Sequence, residues 1–135
     1  MSQIRHLSGR IWERLLKESG VDIFNGAQGR ILYVLWEHGD LTITEIGQLT
    51  SLAKTTLTSM LDRMEESGLI MRIPDRKNRR QIIISVTEKA KEYREKYDWL
   101  SGKMNSIYYR GFNDEEIMMF EQKLKKIKEN LEMEE

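Results

Sequence analysis

The sequence predicts a mainly α-helical protein with one small β-hairpin, and three observations support this α+β class. Apolar residues recur every three or four positions along most of the 135-residue chain, the spacing typical of amphipathic helices. Two runs rich in Ile and Val, residues 69–73 and 81–87, have the composition of strands. Glycines and capping residues separate the helical segments, and the single proline, Pro74, stands at the edge of the hairpin. We expect residues 1–135 to form one domain.

Two helices are expected before residue 40. The first spans about residues 3–19, and Gly20 ends it. One face of this helix is apolar and consists of Ile4, Leu7, Ile11 and Leu15. The second helix opens at Asn25, which with Gln28 resembles a capping box, and ends at Gly39. Its apolar face includes Ile31, Leu32, Leu35 and Trp36.

The next two helices lie close together in the sequence. Thr42 and Glu45 form a T-x-x-E capping box, and Leu41 and Ile46 occupy the two positions of a hydrophobic staple. This box opens a short helix that ends near residue 50. A second helical pattern follows over about residues 53–68, with an inward face of Leu57, Met60, Leu61 and Met64. Two helices joined by a turn of three or four residues form a helix-turn-helix.

The hairpin and two long helices complete the chain. No Asn-Gly or Asp-Gly pair separates the strands, so a longer loop is favoured over a tight two-residue turn. From Glu88 the chain returns to helix, with a seam of Tyr93, Tyr97, Leu100, Met104 and Ile107. Gly111 ends this helix, and Asn113 with Glu116 forms another capping box. The last helix carries an apolar stripe of Ile117, Phe120, Leu124, Ile127 and Leu131.

Cationic residues are concentrated in the hairpin. Its tip, residues 75–80, contains Arg76, Lys77, Arg79 and Arg80, and Arg72 lies in the strand before it. The hairpin therefore has a strongly positive local charge, although the whole chain has a formal net charge of zero. A projecting cationic hairpin suits a phosphate backbone, because each neutralised phosphate releases counterions and supplies affinity that does not depend on sequence.

The outward face of the fourth helix is polar. It carries Lys54, Thr55, Thr56, Thr58, Ser59 and Asp62. Short hydroxyl side chains can approach base edges in the major groove and bind phosphate oxygens, and Lys54 adds charge near the helix start. The alternative is a surface helix that is merely rich in threonine, a weak helix former. The cationic hairpin that follows immediately favours nucleic-acid contact.

Residues 46–90 read IGQLTSLAKTTLTSMLDRMEESGLIMRIPDRKNRRQIIISVTEKA, and they resemble the winged helix-turn-helix core of the MarR family of bacterial and archaeal transcription regulators. The order of the helices outside this core matches the family as well. The resemblance implies a core of about residues 25–87, framed by dimerisation helices in residues 1–20 and 88–135. It also implies that residues 53–67 lie in the major groove and that Arg79 enters the minor groove, while Arg80 braces the base of the hairpin, with Asp62 as its partner.

The resemblance thus implies a homodimeric repressor that binds a palindromic double-stranded operator. The predicted DNA contacts are Lys54, Thr55, Thr56, Thr58, Ser59, Arg76, Lys77, Asn78, Arg79 and Arg80. A palindromic site requires two related DNA-binding surfaces, which a twofold dimer provides. The apolar seams of the terminal helices are also larger than one small domain needs. The predicted dimer interface is Ile4, Leu7, Ile11, Ile117, Phe120, Leu124, Ile127 and Leu131. The alternative is that both seams pack within one monomer.

The sequence departs from the family pattern in two places. The hairpin tip of the family commonly reads D-x-R-D-R-R, whereas here Lys77 and Asn78 stand in place of arginine and aspartate. An ion pair that would hold the tip is therefore missing, and we expect a more mobile tip. Ala53 stands where a capping hydroxyl is usual, which costs about 1 kcal/mol of local helix stability unless Ser51 or a backbone shift compensates.

Family members often release DNA when a small aromatic or phenolic anion binds between the dimer helices and the reading head. A planar anion needs an aromatic or Met wall and one cation. The candidates here are His6, Arg10, Trp12, Arg14, Tyr33, Trp36, Met104 and Tyr108. The alternative is that these residues are core, because aromatic residues and Met at helical spacing usually pack inside.

Other functions find little support in the sequence. The chain has no cysteine, so disulfides, thiolate metal sites and thiol redox sensing are excluded. Glu37, His38 and Asp40 could suggest a metal site, but their position at a helix end favours solvated side chains. We expect no metal, no cofactor, no enzymatic activity, no membrane partner and a cytoplasmic location. A winged-helix module that binds protein without specific DNA binding remains the alternative function.

Overall fold

The computed structural model describes residues 1–20 and 26–135. In chain order the elements are α1 (Ser2–Glu18), α2 (Gly26–His38), β1 (Leu41–Thr42), α3 (Ile43–Thr50), α4 (Lys54–Glu66), β2 (Ile70–Pro74), β3 (Ile82–Val86), α5 (Glu88–Lys91), α6 (Arg94–Tyr108) and α7 (Asp114–Glu132). The predicted class of a mainly α protein with a small β-hairpin is confirmed. The described residues form two compact units, Met1–Leu100 and Ser101–Glu135.

The helix ends follow the local signals that the sequence contains. Thr42 is the N-cap of α3, and its hydroxyl accepts a hydrogen bond from the amide of Glu45, whose carboxylate in turn accepts one from the Thr42 amide. These two bonds complete the predicted capping box. After α2, Gly39 has a φ of 79°, a conformation that costs glycine little. The capping box predicted at Asn25 lies outside the described residues.

The sheet has three strands, one more than the predicted hairpin. β2 and β3 pair antiparallel from Ile70 opposite Val86 to Pro74 opposite Ile82. β1 adds to the other edge of β3, with Leu41 opposite Ile84. Because both of these side chains are buried, the added strand ties the start of α3 to the hairpin.

The core of the first unit lies between the helices and one face of this sheet. The fully buried side chains include Ile31, Leu32, Ile46, Leu57, Leu61, Met64, Leu69, Ile84 and Leu100. The inward face predicted for α4 is confirmed at Leu57, Leu61 and Met64, whereas Met60 is half-buried. Burial of this face fixes α4 against the rest of the unit.

The continuous helix predicted from Glu88 is wrong, because the chain breaks after α5. Thr87 caps α5 by accepting a hydrogen bond from the Ala90 amide. The Tyr93 amide then donates to the Ala90 carbonyl, three residues back, at 3.1 Å. This tight turn ends α5, and the half-buried Tyr93 packs against the core before α6 begins.

The second unit is built around the turn between α6 and α7. Asn113 and Glu116 form the predicted capping box at the start of α7. The rings of Tyr109, Phe112 and Phe120 lie within 6.3 Å of one another, measured between centroids. Although these contacts hold its first turns, α7 has no buried residue.

Candidate nucleic-acid interface

Five side chains of α4 form a polar surface that we call the reading face. Its members are Lys54, Thr55, Thr56, Thr58 and Ser59, and all five are exposed. Thr55 and Ser59 lie opposite Leu57 and Leu61, whose burial turns them outward, and Lys54, Thr56 and Thr58 flank them. The Thr58 hydroxyl donates to the Lys54 carbonyl at 2.9 Å, so its oxygen remains free as an acceptor.

The turn between α3 and α4 is held from both sides. Ser51 lies in this turn with a φ of 58°, the left-handed region. Before it, the buried Thr50 donates its hydroxyl to the Ile46 carbonyl at 2.7 Å. Arg30 of α2 donates to the Thr50 carbonyl at 3.1 Å. No local pattern predicts this long-range bond, which helps to fix the start of α4.

The first residue after this turn is Ala53, the N-cap of α4. Its backbone is extended, with φ −63° and ψ 145°, and its methyl group provides no capping bond. Ser51 is instead the C-cap residue of α3. The expected weakness at the start of α4 therefore has no side-chain compensation at its N-cap, and the packing of the inward face has to hold the helix.

The loop between β2 and β3 carries the wing tip, residues 75–80. The carboxylate of Asp75 accepts a hydrogen bond from the Lys77 amide at 2.9 Å, and the Asn78 side-chain oxygen accepts one from the Arg80 amide at 3.2 Å. The Asn78 carbonyl also accepts from the Gln81 amide at 3.0 Å. Asn78, which replaces the aspartate of the family pattern, thus provides local acceptors of its own. The greater mobility of the tip remains a prediction.

The cations of the wing tip are exposed. Arg76, Lys77, Arg79 and Arg80 are all solvent-accessible, and none of them has an ion-pair partner among residues 1–20 and 26–135. Asp75 is half-buried. The positive charge at the tip is therefore available to an external anion.

Arg72 differs from these four cations. Its guanidinium donates to Asp62 and to Glu65 of α4, each at 2.8 Å, and its side chain is 22% exposed. The pKa of Arg72 is raised, because burial alone would lower it but the hydrogen bonds to the two carboxylates and their charges outweigh that effect. Arg72 therefore adds less positive charge for an external anion than the four cations of the tip do.

The prediction that Asp62 pairs with Arg80 was wrong. Asp62 faces β2, where Arg72 lies opposite it, whereas Arg80 follows in the exposed tip. The alternation of side chains along β2 explains why Arg72 can reach Asp62. Side chains two residues apart share a face of a strand, so Arg72 lies on the same side as the buried Ile70.

Three of the predicted effector residues, Trp12, Tyr33 and Trp36, lie around the ring of Tyr97. The helical spacing of the sequence placed Tyr97 only in the apolar seam of the helix that follows the hairpin. Tyr97 lies 5.6 Å from Trp12, 6.1 Å from Tyr33 and 5.5 Å from Trp36, measured between ring centroids. We call these four residues the aromatic cluster. A Cβ atom added at Gly29 would lie 2.8 Å from the Tyr97 ring, so the absence of a side chain there admits the ring.

The other predicted effector residues are not part of this cluster. His6 and Arg10 are exposed on α1, and Arg14 lies 3.8 Å from Glu18. Met104 and Tyr108 belong to the second unit. Whether any of the eight residues contacts a ligand remains a prediction.

The region of Glu37 and His38 is used for structural contacts. Glu37 pairs with Arg94 at 3.0 Å, and a ring nitrogen of His38 lies 3.0 Å from the Val34 carbonyl. Within the described part of the chain, no three His, Asp or Glu side chains are grouped so that they could hold a metal ion. Among the described helices, none combines the length and the apolar character that a membrane-spanning segment needs.

Residues 24–82, which include the helix-turn-helix and the wing tip, match the model of the MarR family. Over 95 residues the chain is 37% identical to the HTH-type transcriptional regulator TtmR of Methylorubrum extorquens strain PA1. Over 65 residues it is 43% identical to the organic hydroperoxide resistance transcriptional regulator of Bacillus subtilis strain 168. These alignments cover 70% and 48% of this chain but 47% and 44% of the two relatives, so the chain spans about half the length of these relatives.

The fold is similar to that of a cysteine-to-serine mutant of MarR from E. coli, solved in complex with operator DNA. The TM-score is 0.77 with 23% sequence identity, and the match covers 93% of this chain and 91% of that chain. Similarity at this level of identity establishes the winged helix-turn-helix fold.

Proposed function

We propose that the chain is a sequence-specific regulator of transcription of the MarR family, whose model matches residues 24–82. In this proposal it is a homodimer that binds double-stranded DNA and represses from a palindromic operator. The observation that carries this proposal is the presence of two DNA-type surfaces on neighbouring elements of one compact unit. The reading face presents exposed hydroxyls, and the wing tip presents four cations without ion-pair partners among the described residues. Hydroxyls suit base edges and phosphates, and unpaired cations suit the backbone or a narrow minor groove.

Each surface has a separate role in this proposal. The N-terminal half of α4 enters the major groove, where Thr55 and Ser59 meet base edges and Lys54 meets a phosphate. Arg79 enters the minor groove beside it, while Arg76, Lys77, Asn78 and Arg80 contact the backbone. The two relatives described above are named as transcriptional regulators, and the similar E. coli structure contains operator DNA.

The exposed apolar residues support a second copy of the chain as partner. Leu124 and Ile127 on α7 are 38% and 43% exposed, and Leu7 on α1 is 50% exposed. Large apolar side chains along one helix stripe favour burial against another protein surface. A twofold dimer would present two reading faces to the two halves of a palindrome.

Selection of bound fragments from the host genome tests the DNA-binding function directly. We expect enrichment of one palindromic sequence, with affinity that falls steeply as salt rises. The double variant Lys77→Gln/Arg79→Gln should lose most of this binding. Its control, Lys125→Gln/Lys126→Gln, removes the same charge from exposed positions of α7 away from the apolar stripe and should bind normally.

Two results would count against this function. Fragments with no common sequence, bound with little dependence on salt, would favour a protein-interaction module. Equal loss of binding in the two charge-matched variants would show that net charge matters and that the wing tip does not.

We further propose that a small aromatic or phenolic anion regulates DNA binding from the aromatic cluster. Tyr33 is 44% exposed, so a ring can reach the cluster from solvent. Benzoate is a suitable probe: it should quench the fluorescence of Trp12 or Trp36 and weaken operator binding in the same concentration range. Quenching that persists in the double variant Trp12→Phe/Trp36→Phe, or quenching without any change in DNA affinity, would rule this site out.

A further inference from the structure

The strands β2 and β3 with the tip between them form the wing. Arg72 joins this wing to α4 through two carboxylates that lie one helical turn apart. Asp62 accepts from one terminal nitrogen of the guanidinium and Glu65 accepts from the other, both at 2.8 Å. A planar guanidinium that donates in two fixed directions to two anchored acceptors restricts both its distance and its orientation. The strand that carries Arg72 leads directly into the wing tip.

The two carboxylates lie at the end of the reading face. Thr55, Ser59 and Asp62 follow one another at intervals of four and three residues, so they share one side of α4. Without a partner, Asp62 and Glu65 would place two negative charges beside the surface that meets a phosphate backbone. Arg72 compensates part of that charge and keeps both carboxylates turned toward β2.

The exposure of these groups argues against a mainly stabilising role. Asp62 and Glu65 are 60% and 44% exposed, and ion pairs between exposed groups contribute little to global stability. The consequence of the contact is therefore positional. It sets the angle between the wing and α4, and a wing that enters one groove while α4 enters the next needs that angle to be fixed.

We propose that Arg72 is a positioning residue that sets DNA specificity without touching DNA: it holds the wing at a fixed angle to α4 through Asp62 and Glu65. This inference rests on the proposed DNA-binding function. Arg72 acts through Arg79 and the other residues of the wing tip, whose contacts it aligns with those of the reading face.

The variant Arg72→Met/Asp62→Asn tests the proposal without changing the net charge of the chain. We expect its affinity for the selected palindrome to fall about tenfold, the factor that corresponds to loss of one good base contact. Its affinity for random DNA and its salt slope should stay unchanged, because no phosphate contact is lost. The matched control Arg94→Met/Glu37→Gln removes another arginine–carboxylate contact of the first unit, at 3.0 Å, and should behave as wild type.

A second measurement needs no DNA. The chain has no cysteine, so Arg76→Cys provides a single site for a nitroxide spin label at the wing tip. We expect the label to become more mobile when Arg72→Met/Asp62→Asn is added and to remain as in wild type with Arg94→Met/Glu37→Gln. The variant Asp62→Asn/Glu65→Gln should keep the label ordered, because amide oxygens can still accept from the guanidinium.

Each outcome supports or overturns the proposal. Unchanged label mobility would overturn the holding role, and increased mobility with unchanged specificity would overturn the specificity role. If wild type binds no DNA, the proposed function fails, and the spin label alone decides whether Arg72 holds the wing. If the double variant does not fold, Arg72→Lys replaces it, because one ammonium cannot reproduce the two fixed donor directions of a guanidinium. Wild-type label mobility and wild-type specificity in Arg72→Lys would also overturn the proposal.

Discussion

The reading helix α4 and the terminal helix α7 differ in what holds them. α4 starts at Ala53 without a side-chain cap and is rich in threonine, yet its inward residues Leu57, Leu61 and Met64 are at most 1% exposed. α7 starts with a complete capping box and three acidic residues in its first turn, yet none of its residues is buried. Local signals are thus weak in the helix whose inward face is fully buried and strong in the helix that has no buried residue.

This difference indicates how each helix can be used. A helix fixed by its core can present short polar side chains without losing its position, so α4 suits a task that needs precise placement. A helix that forms mainly through its own caps can keep its apolar stripe uncovered, so α7 suits a surface that another subunit completes. The predictions below test both halves of this comparison.

The largest effect is expected on the stripe of α7. Replacing Leu124 and Ile127 with Glu would bury unpaired carboxylates in the proposed dimer, so sedimentation equilibrium should show monomer or unfolded protein. Operator binding should be lost with the dimer, because one subunit matches half of a palindrome.

A charge-matched control separates charge from burial in this experiment. Gln122→Glu/Lys126→Gln makes the same change in net charge on the opposite side of α7 and should remain dimeric. If wild type is monomeric at micromolar concentration and still binds a palindrome tightly, the comparison fails, because the stripe would have no partner to meet.

The next effect is expected at the wing tip. Arg79→Ala should weaken operator binding strongly, by about 1 to 3 kcal/mol, because a minor-groove arginine is lost. Lys77→Ala should weaken it less and lower the salt slope by about 0.9, the value for one phosphate contact. Affinities measured from 50 to about 200 mM salt distinguish the two. Full affinity of Arg79→Ala at physiological salt would exclude minor-groove insertion.

Substitutions on the reading face should alter sequence choice and leave folding intact. Thr55→Ala and Ser59→Ala each remove an exposed hydroxyl, which should cost about 1 to 3 kcal/mol on the preferred site and little on random DNA. Thr58→Ala is a useful comparison, since that hydroxyl already donates to the Lys54 carbonyl. Equal losses on specific and random DNA would reassign Thr55 and Ser59 to phosphate contacts.

The smallest effect concerns Tyr109, whose hydroxyl donates a hydrogen bond to Glu121 of α7. The hydrogen bond to Glu121, together with partial burial and the charge of that carboxylate, raises the pKa of Tyr109 above its ordinary value of 10.0. The stabilisation by this contact is complete below pH 10.0 and is lost as the pH rises through the raised pKa, because tyrosinate cannot donate and is repelled by Glu121.

Tyr109→Phe should therefore destabilise the protein by about 0.5 kcal/mol at neutral pH, the low end for one hydrogen bond because the group is accessible to water. Urea unfolding at neutral pH and again well above pH 10.0 measures the difference between the two proteins. The difference should shrink at high pH. A constant difference would show that the phenol-carboxylate contact does not contribute.

Elements that depend on neighbouring residues could be predicted from the sequence. The boxes at Thr42 and Asn113 need only a partner three residues away, and both formed as expected. The inward face of α4 follows from helical spacing alone, and so does the outward direction of Thr55 and Ser59.

The remaining features depend on residues that are distant in the sequence. The two-residue strand β1 has no period to detect, and it exists because β3 offers it an edge. The contacts of Arg72 depend on the angle at which β2 passes α4, which no local pattern specifies. The meeting of three rings at Tyr97 likewise combines α1, α2 and α6.

The placement of charge at the wing tip also affects how such a regulator searches for its site. Beyond the Debye length, about 8 Å at physiological salt, an exposed charge is largely screened, and the chain as a whole has a formal net charge of zero. In the proposed function, attraction to DNA therefore begins only when a wing tip is already near a groove, and it depends on the phosphates that the cations of the tip neutralise. We therefore expect residence on random sequence to be short at physiological salt, so that the search proceeds by many brief collisions and the protein returns to solution between them.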